Sequence, residues 1–316
     1  MKITTVIPAY KPKYLHELLT ALRHQTVRPE RIIFSDDSPN QAFRAALQSD
    51  PVRSATADLN IEVIEGPHAG AFANCRHLLQ AWSGRTPLVH FLLDDDIIYP
   101  EFYERHLAVH ATGTVDCSVS RRWTSIEPGL PVGRLPVPEL ISRHQQRALT
   151  IGADFLFPTT LPPCNNWLGE LSHAVFNHEI SGLLDQPRLA DISFEGLGDI
   201  GFFLSASLRK PIGFLTEALG FFRLNPAQIT QQSSSHDFKA GHLAWIALGL
   251  AAQRLNKLQP EQASQCFRTM GTVVMHRFSG TADMAPFCEL IPALVRGEAG
   301  AGERFLGLWQ EFIESR

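Results

Sequence analysis

Cysteines are few and far apart in this chain of 316 residues. The five of them are Cys75, Cys117, Cys164, Cys266 and Cys288. Their odd number and wide spacing argue against a disulfide framework, and no Cys-x-x-Cys pair suggests a zinc ribbon or a redox dithiol. We therefore predict reduced thiols and a cytoplasmic location.

Long apolar runs are also missing. The longest, residues 243–252, is about half of the roughly 20 residues that a membrane-spanning helix needs. Near the start of the chain, Pro8 interrupts an apolar stretch that is too short for a secretory signal. The sequence predicts no membrane span, and it leaves open a peripheral contact with the inner face of a membrane.

Basic residues form no stripe. The 28 Lys and Arg residues are scattered among 32 Asp and Glu residues, and the formal net charge is -4. Nucleic-acid binding requires a basic surface, so we predict no nucleic-acid partner. The P-loop and serine-hydrolase signatures are absent as well. His106 and His110 have the spacing of a zinc pair, but they lack the glutamate that a metalloprotease carries after the first histidine.

Apolar runs and amphipathic segments alternate over the first third of the chain. The runs that predict strands are residues 3–10, 31–37, 61–66 and 87–93. The segments that predict helices are residues 14–25, 71–82 and 101–110. Strands that alternate with helices indicate an α/β fold, with a mostly parallel sheet covered by helices on both faces.

The residues just beyond these strands form a candidate site. They are Pro8 to Tyr10, Asp36 and Asp37, residues 66–70, and residues 94–96. Ligands of such sheets bind beyond the carboxyl ends of the strands, so we expect the four stretches to meet in one crevice. The consecutive carboxylates of residues 94–96 repel one another unless water or a cation compensates them. They are typical of an Mg²⁺ or Mn²⁺ site for a phosphorylated ligand, and a solvated acidic turn is the alternative.

A polar break at residues 233–235 separates this region from a helical part of the chain. Four helices are predicted there, at residues 238–255, 261–278, 284–295 and 302–313. We therefore divide the chain into a domain over residues 1–232 and a helical C-terminal extension over residues 233–316. The apolar faces of these helices are too extensive to stay in water, so we expect them to pack on the first domain or to form a homo-oligomer.

Several motifs, taken in order, resemble those of a known family. They are "VIPAY", "LLTALRHQT", "RIIFSDDSPN", the acidic cluster after an apolar strand, and the segment "LGDIGFFLSASLRKPIGFLTEALGFFRLN" at residues 197–225. Together they resemble a family 2 glycosyltransferase of the GT-A fold over about the first 225 residues. The resemblance implies an inverting transfer of a sugar from a nucleoside diphosphate to a hydroxyl acceptor, with a D-x-D-type metal site.

The resemblance also implies roles for residues at the ends of the first strands. Pro8, Ala9 and Tyr10 would line the nucleotide pocket, with Tyr10 close to the base. Asp37 would accept a hydrogen bond from the base. Arg76, on the helix after residue 70, would reach a phosphate, and a solvated surface arginine is the alternative.

The resemblance implies a different role for each of the acidic residues. Asp94 would face the ribose, and Asp95 or Asp96 would bind Mn²⁺ or Mg²⁺, with Asp95 also near the nucleotide sugar. Asp199 occupies the position of the general base, after a glycine-rich stretch at residues 196–198 that we expect to be flexible.

The sequence departs from the family pattern at several positions. Gly198 stands where an acidic residue often precedes the base, and Asn225 stands where a histidine metal ligand is common. His236 or His242 would be the substitute ligand, although a surface or core histidine is the favoured interpretation of each. Similarly, Trp167 is more typical of a core residue than of a sugar platform.

The favoured function is a metal-dependent hexosyltransferase that uses a UDP-sugar in the synthesis of a surface polysaccharide or a glycoconjugate. One alternative is a sugar nucleotidyltransferase, although "VIPAYKPK" lacks the glycine-rich first loop of that class. Another is a catalytically degenerate GT-A scaffold that binds a partner through its helical tail.

Overall fold

A computed structural model describes residues 1–127, 129–224 and 235–315 of the chain. The chain folds into two compact units, each built from several segments. The first comprises Met1–Thr150, Leu168–Asp185 and Lys210–Asn225, and the second comprises Ile151–Trp167, Gln186–Arg209 and Pro226–Arg316.

The predicted domain boundary between residues 232 and 233 lies outside the described residues. The second unit differs from the predicted extension because it also includes residues 151–167 and 186–209, which we assigned to the first domain. The reason is packing within the second unit. For example, the indole Nε1 of Trp309 donates a hydrogen bond of 2.9 Å to the carbonyl of Ser193.

The strands are β1 (Ile3–Ala9), β2 (Arg31–Asp36), β3 (Ile61–Glu65), β4 (Leu88–Phe91), β5 (Ile97–Ile98), β6 (Cys117–Ile126), β7 (Leu130–Arg134), β8 (Ala148–Ile151), β9 (Ala174–Asn177), β10 (Arg188–Leu189), β11 (Ile192–Ser193) and β12 (Ile212–Arg223). The main sheet has the order β3-β2-β1-β4-β9-β6-β12-β5, with β7 beside β6 and β8 beside β12. Strands β10 and β11 form a separate antiparallel pair in the second unit.

The helices are α1 (Leu15–Arg23), α2 (Ala42–Gln48), α3 (Asp50–Ala55), α4 (Ala71–Trp82), α5 (Phe102–His110), α6 (Glu139–Ser142), α7 (Ala153–Thr160), α8 (Gly182–Asp185), α9 (Gly198–Ser207), α10 (His236–Arg254), α11 (Pro260–Phe278), α12 (Ala285–Val295) and α13 (Ala301–Glu314). Short 3₁₀ helices lie at Pro12–Tyr14, Pro39–Gln41, Leu171–His173 and His178–Ile180.

The predicted α/β fold is confirmed. Strands β3, β2, β1 and β4 are parallel neighbours. Beyond them the sheet is mixed, because β9 runs antiparallel to β4 and β6 while β12 runs parallel to β6. Helix α1 buries Leu15, Leu18, Leu19 and Leu22 against the core, as their spacing predicts.

In the second unit, small residues let the C-terminal helices pack closely. A Cβ atom on Gly249 of α10 would lie 2.9 Å from the Phe267 ring of α11. Gly271 of α11 likewise faces Ile291 of α12. On α13, Phe305, Trp309 and Phe312 are buried, so the predicted apolar face is in the interior of this unit.

The described residues offer neither a disulfide nor a membrane span. None of the five cysteines, all of which the structure describes, forms a disulfide. Within residues 1–127, 129–224 and 235–315, no helix is both long enough and apolar enough to cross a bilayer.

A buried polar chain runs through the first unit, between β1, β4 and α5. The Nε2 atom of His90 lies 2.9 Å from the carbonyl oxygen of Ser172, which only accepts, so this nitrogen carries the proton. The Nδ1 atom must then accept from the Tyr103 hydroxyl at 3.0 Å. The Tyr103 oxygen in turn accepts from the Thr5 hydroxyl at 2.5 Å. The chain therefore fixes one neutral tautomer of His90.

Three further histidines are buried near this chain. His106 Nδ1 lies 2.7 Å from the Ser118 hydroxyl, and His110 Nε2 lies 3.1 Å from the Val175 carbonyl. Burial lowers the pKa of His90 to about 4, and burial also lowers the pKa of His106, His110 and His173. His106 and His110 are thus core residues.

We predict that the protein loses stability as the pH falls below about 6.5, where the unfolded chain protonates its histidines and the folded chain does not. Each such histidine contributes a slope of about 1.4 kcal/mol per pH unit. The pKa of Asp94, raised to about 6 by burial, acts in the opposite direction between about pH 4 and pH 6, as does the raised pKa of Asp96. Urea unfolding at pH 7, 6 and 5 measures the net loss. An equal free energy of unfolding at pH 7 and pH 5 would contradict the prediction.

Candidate functional site

The carboxyl ends of the first four strands meet, as the sequence predicts. The Asp37 amide donates to the Ala9 carbonyl at 2.9 Å, and the Gly66 amide donates to the Asp36 carbonyl at 2.9 Å. The amide of Tyr10 donates to Asp94 Oδ2 at 2.6 Å. These bonds link the ends of β1, β2, β3 and β4 into one crevice of the first unit.

The two aspartates at the end of β2 have different surroundings. Asp36 is buried and accepts hydrogen bonds from the amides of Ser38 and Arg44, so its carboxylate is occupied in holding the loop and helix after β2. Asp37 is on the crevice side and accepts from the His68 amide at 2.6 Å. Asp37 therefore has the less occupied carboxylate of the two, with 8% of its side chain exposed, and it is the one that the resemblance implies.

Gly66 makes this arrangement possible. A Cβ atom at this position would overlap Asp37 Oδ1 and would lie 2.8 Å from the Asp36 carbonyl oxygen. Such distances are too short for real Cβ atoms, so only glycine lets the loop after β3 approach the end of β2 this closely.

The acidic cluster after β4 begins with Asp94, which binds the backbone of the loop after β1. Its Oδ2 atom accepts from the amides of Tyr10 and Lys11, each at 2.6 Å. Burial raises the pKa of Asp94 to about 6, and the two amide bonds oppose that rise. Asp94 therefore holds the Tyr10–Lys11 loop against the end of β4.

Asp95 is paired with a lysine of the same loop. The Lys11 ammonium lies 2.5 Å from Asp95 Oδ2, and only 6% of the Asp95 side chain is exposed. Burial alone would lower the pKa of Lys11, but the hydrogen bond to Asp95 and the charges of Asp95 and Asp94 raise it. The Lys11 side chain is therefore a fixed positive charge within the crevice.

Asp96 is fully buried and lies beside Arg223, at the end of β12. Its Oδ1 atom accepts from the Arg223 amide at 3.0 Å, and the Arg223 Nε donates to the Asp95 carbonyl at 3.0 Å. The guanidinium continues to Glu17 Oε2 at 2.6 Å and lies over the Tyr14 ring. Burial and the neighbouring charge of Asp95 raise the pKa of Asp96.

Lys11 and Arg223 were not predicted from the sequence, although a signal for Lys11 was present. The family pattern is IPAYN-like, and this chain has lysine where that asparagine would stand. Arg223 stands where the family segment ends in Tyr-Arg, but its contacts with the acidic cluster could not be predicted, because those partners are far away in the chain. The carboxylates are thus compensated at least in part by cations of the protein itself.

The acidic residues also fit a divalent cation. Asp96 Oδ2 is buried and has no hydrogen-bond partner among the described residues, and Asp95 is next to it. Carboxylate oxygens are the ligands that Mg²⁺ and Mn²⁺ prefer, and one or two of them suffice when a phosphorylated ligand completes the shell. In the described part of the chain, no group of three or more His, Cys, Asp and Glu side chains is arranged to hold a metal by itself.

The remaining residues of the predicted nucleotide pocket lie around the same crevice or beyond it. Ala9 is buried and Pro8 is half-buried, whereas the Tyr10 side chain is 55% exposed. Arg76 is on the exposed face of α4, with its guanidinium 5.6 Å from the centre of the Phe72 ring. No contact of Arg76 with the strand ends is seen among the described residues, so its phosphate contact stays a prediction.

Asp199 belongs to the second unit and lies in the first turn of α9, where it is half-buried. The glycines before it differ from the flexible stretch that we expected. Gly196 has φ +88°, and a Cβ atom there would lie 2.6 Å from the Ala240 carbonyl carbon and even closer to the Gly241 amide. A tight backbone contact with α10 therefore fixes the entry to α9.

Residues 196–201 also spell Gly-x-Gly-x-x-Gly, the letters of a dinucleotide-binding fingerprint. That fingerprint requires a parallel strand directly before it and a βαβ unit around it. Here the preceding strand is β11, two residues long and paired only with β10 in antiparallel fashion. The described structure thus gives the motif no dinucleotide-binding context.

Of three other candidates in the second unit, Trp167 is a core residue, and His236 and His242 are half-buried. Trp167 is buried, and its indole Nε1 donates to the Thr160 hydroxyl at 3.0 Å. His236 stacks on Phe312, and His242 Nδ1 lies 2.8 Å from the carbonyl of Phe238. Asn225 lies outside the described residues.

Comparison with known proteins agrees with this geometry. Residues 4–160, which contain the strand ends and the acidic cluster, match the sequence model of Glycosyl transferase family 2. The chain is a family 2 glycosyltransferase. No curated protein matches the chain in sequence.

Solved structures of other glycosyltransferases share the fold. One is residues 1–349 of S. aureus TarS in complex with UDP-GlcNAc, at a TM-score of 0.54 and 16% identity, covering 100% of this chain and 93% of that one. Another is the mannosyltransferase PcManGT from Pyrobaculum calidifontis in complex with GDP-Man and Mn²⁺, at a TM-score of 0.52 and 12% identity, covering 100% of this chain and 88% of that one. Identities this low establish the GT-A fold and not the substrate.

We predict that Gly66→Ala destabilises the first unit by about 1–3 kcal/mol, because the added methyl group must displace Asp37 or the end of β2. Nucleotide affinity should fall as well. Gly133→Ala is the matched control, since a Cβ atom at Gly133 of β7 meets nothing within 4 Å. Thermal unfolding and UDP titration measure both effects. Equal stability and affinity in the two variants would show that the close approach at Gly66 has no role.

Proposed function

We propose that this glycosyltransferase moves a sugar, with inversion, from a nucleoside diphosphate to a hydroxyl acceptor, in the synthesis of a surface polysaccharide or a glycoconjugate. A UDP-sugar is the favoured donor. One observation carries the proposal: four strand ends bring Asp37 and residues 94–96 into one crevice. That crevice combines acceptors for a base and a ribose with charges of both signs for a diphosphate.

In this proposal the crevice orients the nucleotide through its carboxylates. Asp37, at the end of β2, accepts a hydrogen bond from the base, and the exposed Tyr10 ring lies against that base. Asp94 faces the ribose while its Oδ2 atom holds the Tyr10 and Lys11 amides. Both carboxylates are held by backbone amides, so the nucleotide meets groups that are already in place.

Asp95 and Asp96 would hold Mn²⁺ or Mg²⁺. Such an ion, when bound, supplies positive charge that stabilises the diphosphate leaving group. Lys11 supplies a positive charge of the protein at the same place, since its ammonium already lies on Asp95. Support for a cation comes from the unpartnered Oδ2 of Asp96 and from a neighbour of the same fold that was solved with Mn²⁺.

Asp199 is the proposed general base. Its carboxylate would take the proton of the acceptor hydroxyl as that oxygen attacks the anomeric carbon, while the bond from this carbon to the diphosphate oxygen breaks. A single displacement of this kind inverts the anomeric centre and needs no second carboxylate as a nucleophile. Support comes from the family resemblance around residues 197–225 and from the fixed position of Asp199 in the first turn of α9.

We predict that UDP binds more tightly in MnCl₂ than in EDTA, and that Asp96→Asn removes this difference. The loss should be about tenfold or more in the dissociation constant, because a charged oxygen for the cation is replaced by an amide. Asp58→Asn, a change at an exposed carboxylate paired with Arg28, is the control. Calorimetry gives the constants. Metal-independent binding of UDP would contradict the cation site, and a lack of binding by UDP and GDP alike would contradict the proposed donor class.

We also predict that Asp199→Asn lowers the turnover number by about 10² to 10⁴, the usual cost of losing a general base. UDP affinity and melting temperature should stay near those of the parent, since the amide keeps the shape of the carboxylate. Glu303→Gln, a change at an exposed carboxylate of α13 that pairs with Arg254, is the control. Transfer by the Asn variant within a few-fold of the parent would place the base elsewhere.

A further inference from the structure

The hairpin of β6 and β7 places two arginines on the same face. Arg134 of β7 pairs with Trp123 of β6, and Arg121 precedes Trp123 by two residues, so all three side chains lie on one side of the hairpin. The Arg134 guanidinium carbon is 3.6 Å from the centre of the Trp123 ring. Arg121 and Arg134 are therefore diagonal neighbours across two strands, within reach of one small ligand.

Neither arginine has an ion-pair partner among the described residues. The carboxylates nearby are used by other cations: Glu170 by Arg122, Glu139 by Arg143, Glu217 by Arg105 and Arg147, and Glu127 by Lys13. Partial burial and, after it, the positive charge of Arg134 lower the pKa of Arg121, in keeping with their diagonal positions on the hairpin. Like charges this close repel one another unless water or an anion compensates them; water reaches the exposed Arg134, and an anion would compensate both groups.

The hairpin is tied to the nucleotide crevice. At its turn, Glu127 accepts hydrogen bonds from Lys13 at 2.7 Å and from the Tyr14 hydroxyl. Both donors follow directly after Lys11, whose ammonium lies on Asp95. The turn of the hairpin therefore lies next to the loop that carries Lys11.

The outer part of the hairpin is apolar and exposed. Ile126, Leu130 and Val132 are 42%, 59% and 55% exposed. In β6, Ile126 is three residues after Trp123, so Ile126 and its partner Leu130 lie on the face opposite the two guanidinium groups, and the anion site does not depend on them.

We propose that Arg121 and Arg134 form a binding site for a phosphate group, carried by the acceptor of the sugar. Guanidinium groups bind phosphate oxygens in a bidentate manner, and two of them match the two negative charges of a phosphate monoester better than the single charge of a carboxylate. The phosphate is carried either by a lipid headgroup or by a soluble phosphate ester. The identification of the ligand as the acceptor rests on the proposed function. The anion site itself is inferred from the hairpin alone.

The test compares the parent with Arg121→Gln, Arg134→Gln and the double variant. Arg143→Gln is the control, because Arg143 is an exposed arginine close in sequence that already pairs with Glu139. Calorimetry with glucose 6-phosphate, against glucose and inorganic phosphate, forms the soluble arm, and saturating UDP keeps the nucleotide crevice occupied. Sedimentation with phosphatidylcholine vesicles, with and without phosphatidic acid, forms the lipid arm.

We expect binding in at least one arm, a loss of at least about tenfold in the double variant, and no change in Arg143→Gln. Binding only in the soluble arm identifies a phosphate ester, and binding only to anionic vesicles identifies a lipid headgroup. No binding in either arm, or binding that the double variant retains, overturns the site. Arg134→Gln changes a largely exposed residue and so keeps the test valid if Arg121→Gln fails to fold.

UDP affinity, measured in the same variants, separates this proposal from the proposed function. Normal UDP binding together with absent phosphate binding overturns the anion site alone. Phosphate binding by the arginines in a parent that binds no nucleotide leaves the anion site intact and overturns the proposed donor.

Discussion

Lys11 and Arg223 supply the positive charges that let three consecutive carboxylates stand at the end of β4. Adjacent carboxylates repel one another, and burial makes the repulsion worse because the surroundings screen it poorly. Here Lys11 lies on Asp95, and the backbone and guanidinium of Arg223 bond to Asp96 and to the Asp95 carbonyl. These contacts offset the cost only in part, since burial still raises the pKa of Asp94 and of Asp96.

The same contacts organise the strands around the cluster. Arg223 ends β12, which lies beside β5 directly after the acidic residues, and its guanidinium continues to Glu17 on α1. Lys11 belongs to the loop after β1, which Asp94 holds by two amide bonds. One charged cluster thereby connects β1, β4, β12 and α1, and the crevice for the nucleotide is bounded by elements that are linked through it.

Local sequence patterns were sufficient to predict many of the strands and helices of the first unit, and also the C-terminal helices. The segment 71–82 coincides with α4, and the four leucines of α1 face the core, because helical periodicity depends on residues only three or four apart. The β6–β7 hairpin was not predicted. Its arginines, prolines and glycines obscure any alternation, and the partner that allows Arg122 to be buried, Glu170, is 48 residues away.

In the candidate site, too, features set by nearby residues could be predicted, and contacts between distant residues could not. An apolar strand that ends in three aspartates is visible in the sequence, so Asp94, Asp95 and Asp96 could be predicted as a group. The pairing of each cation with its partner could not be predicted, because Lys11 and Asp95 are 84 residues apart in the chain and Arg223 and Asp96 are 127 residues apart. The sequence also could not show that Asp36 is occupied by backbone amides while Asp37 stays on the crevice side.

The contact between Gly196 and Gly241 limits which substitutions the protein can accept during evolution. The two residues touch through their backbones: a Cβ atom on Gly196 would lie too close to the Gly241 amide nitrogen, and a Cβ atom on Gly241 would lie 3.2 Å from the Gly196 carbonyl oxygen, which is tight. The first turn of α9 carries Asp199, and its placement is therefore limited by a residue on another helix. A substitution at Gly241 would press on the carbonyl of Gly196, three residues before that carboxylate, while every residue of the "GLGDIG" segment remained as it is. The residues that these two positions accept are thus limited by the close approach of two main chains. The chemical character of a side chain does not matter there, because what must be retained is the lack of one.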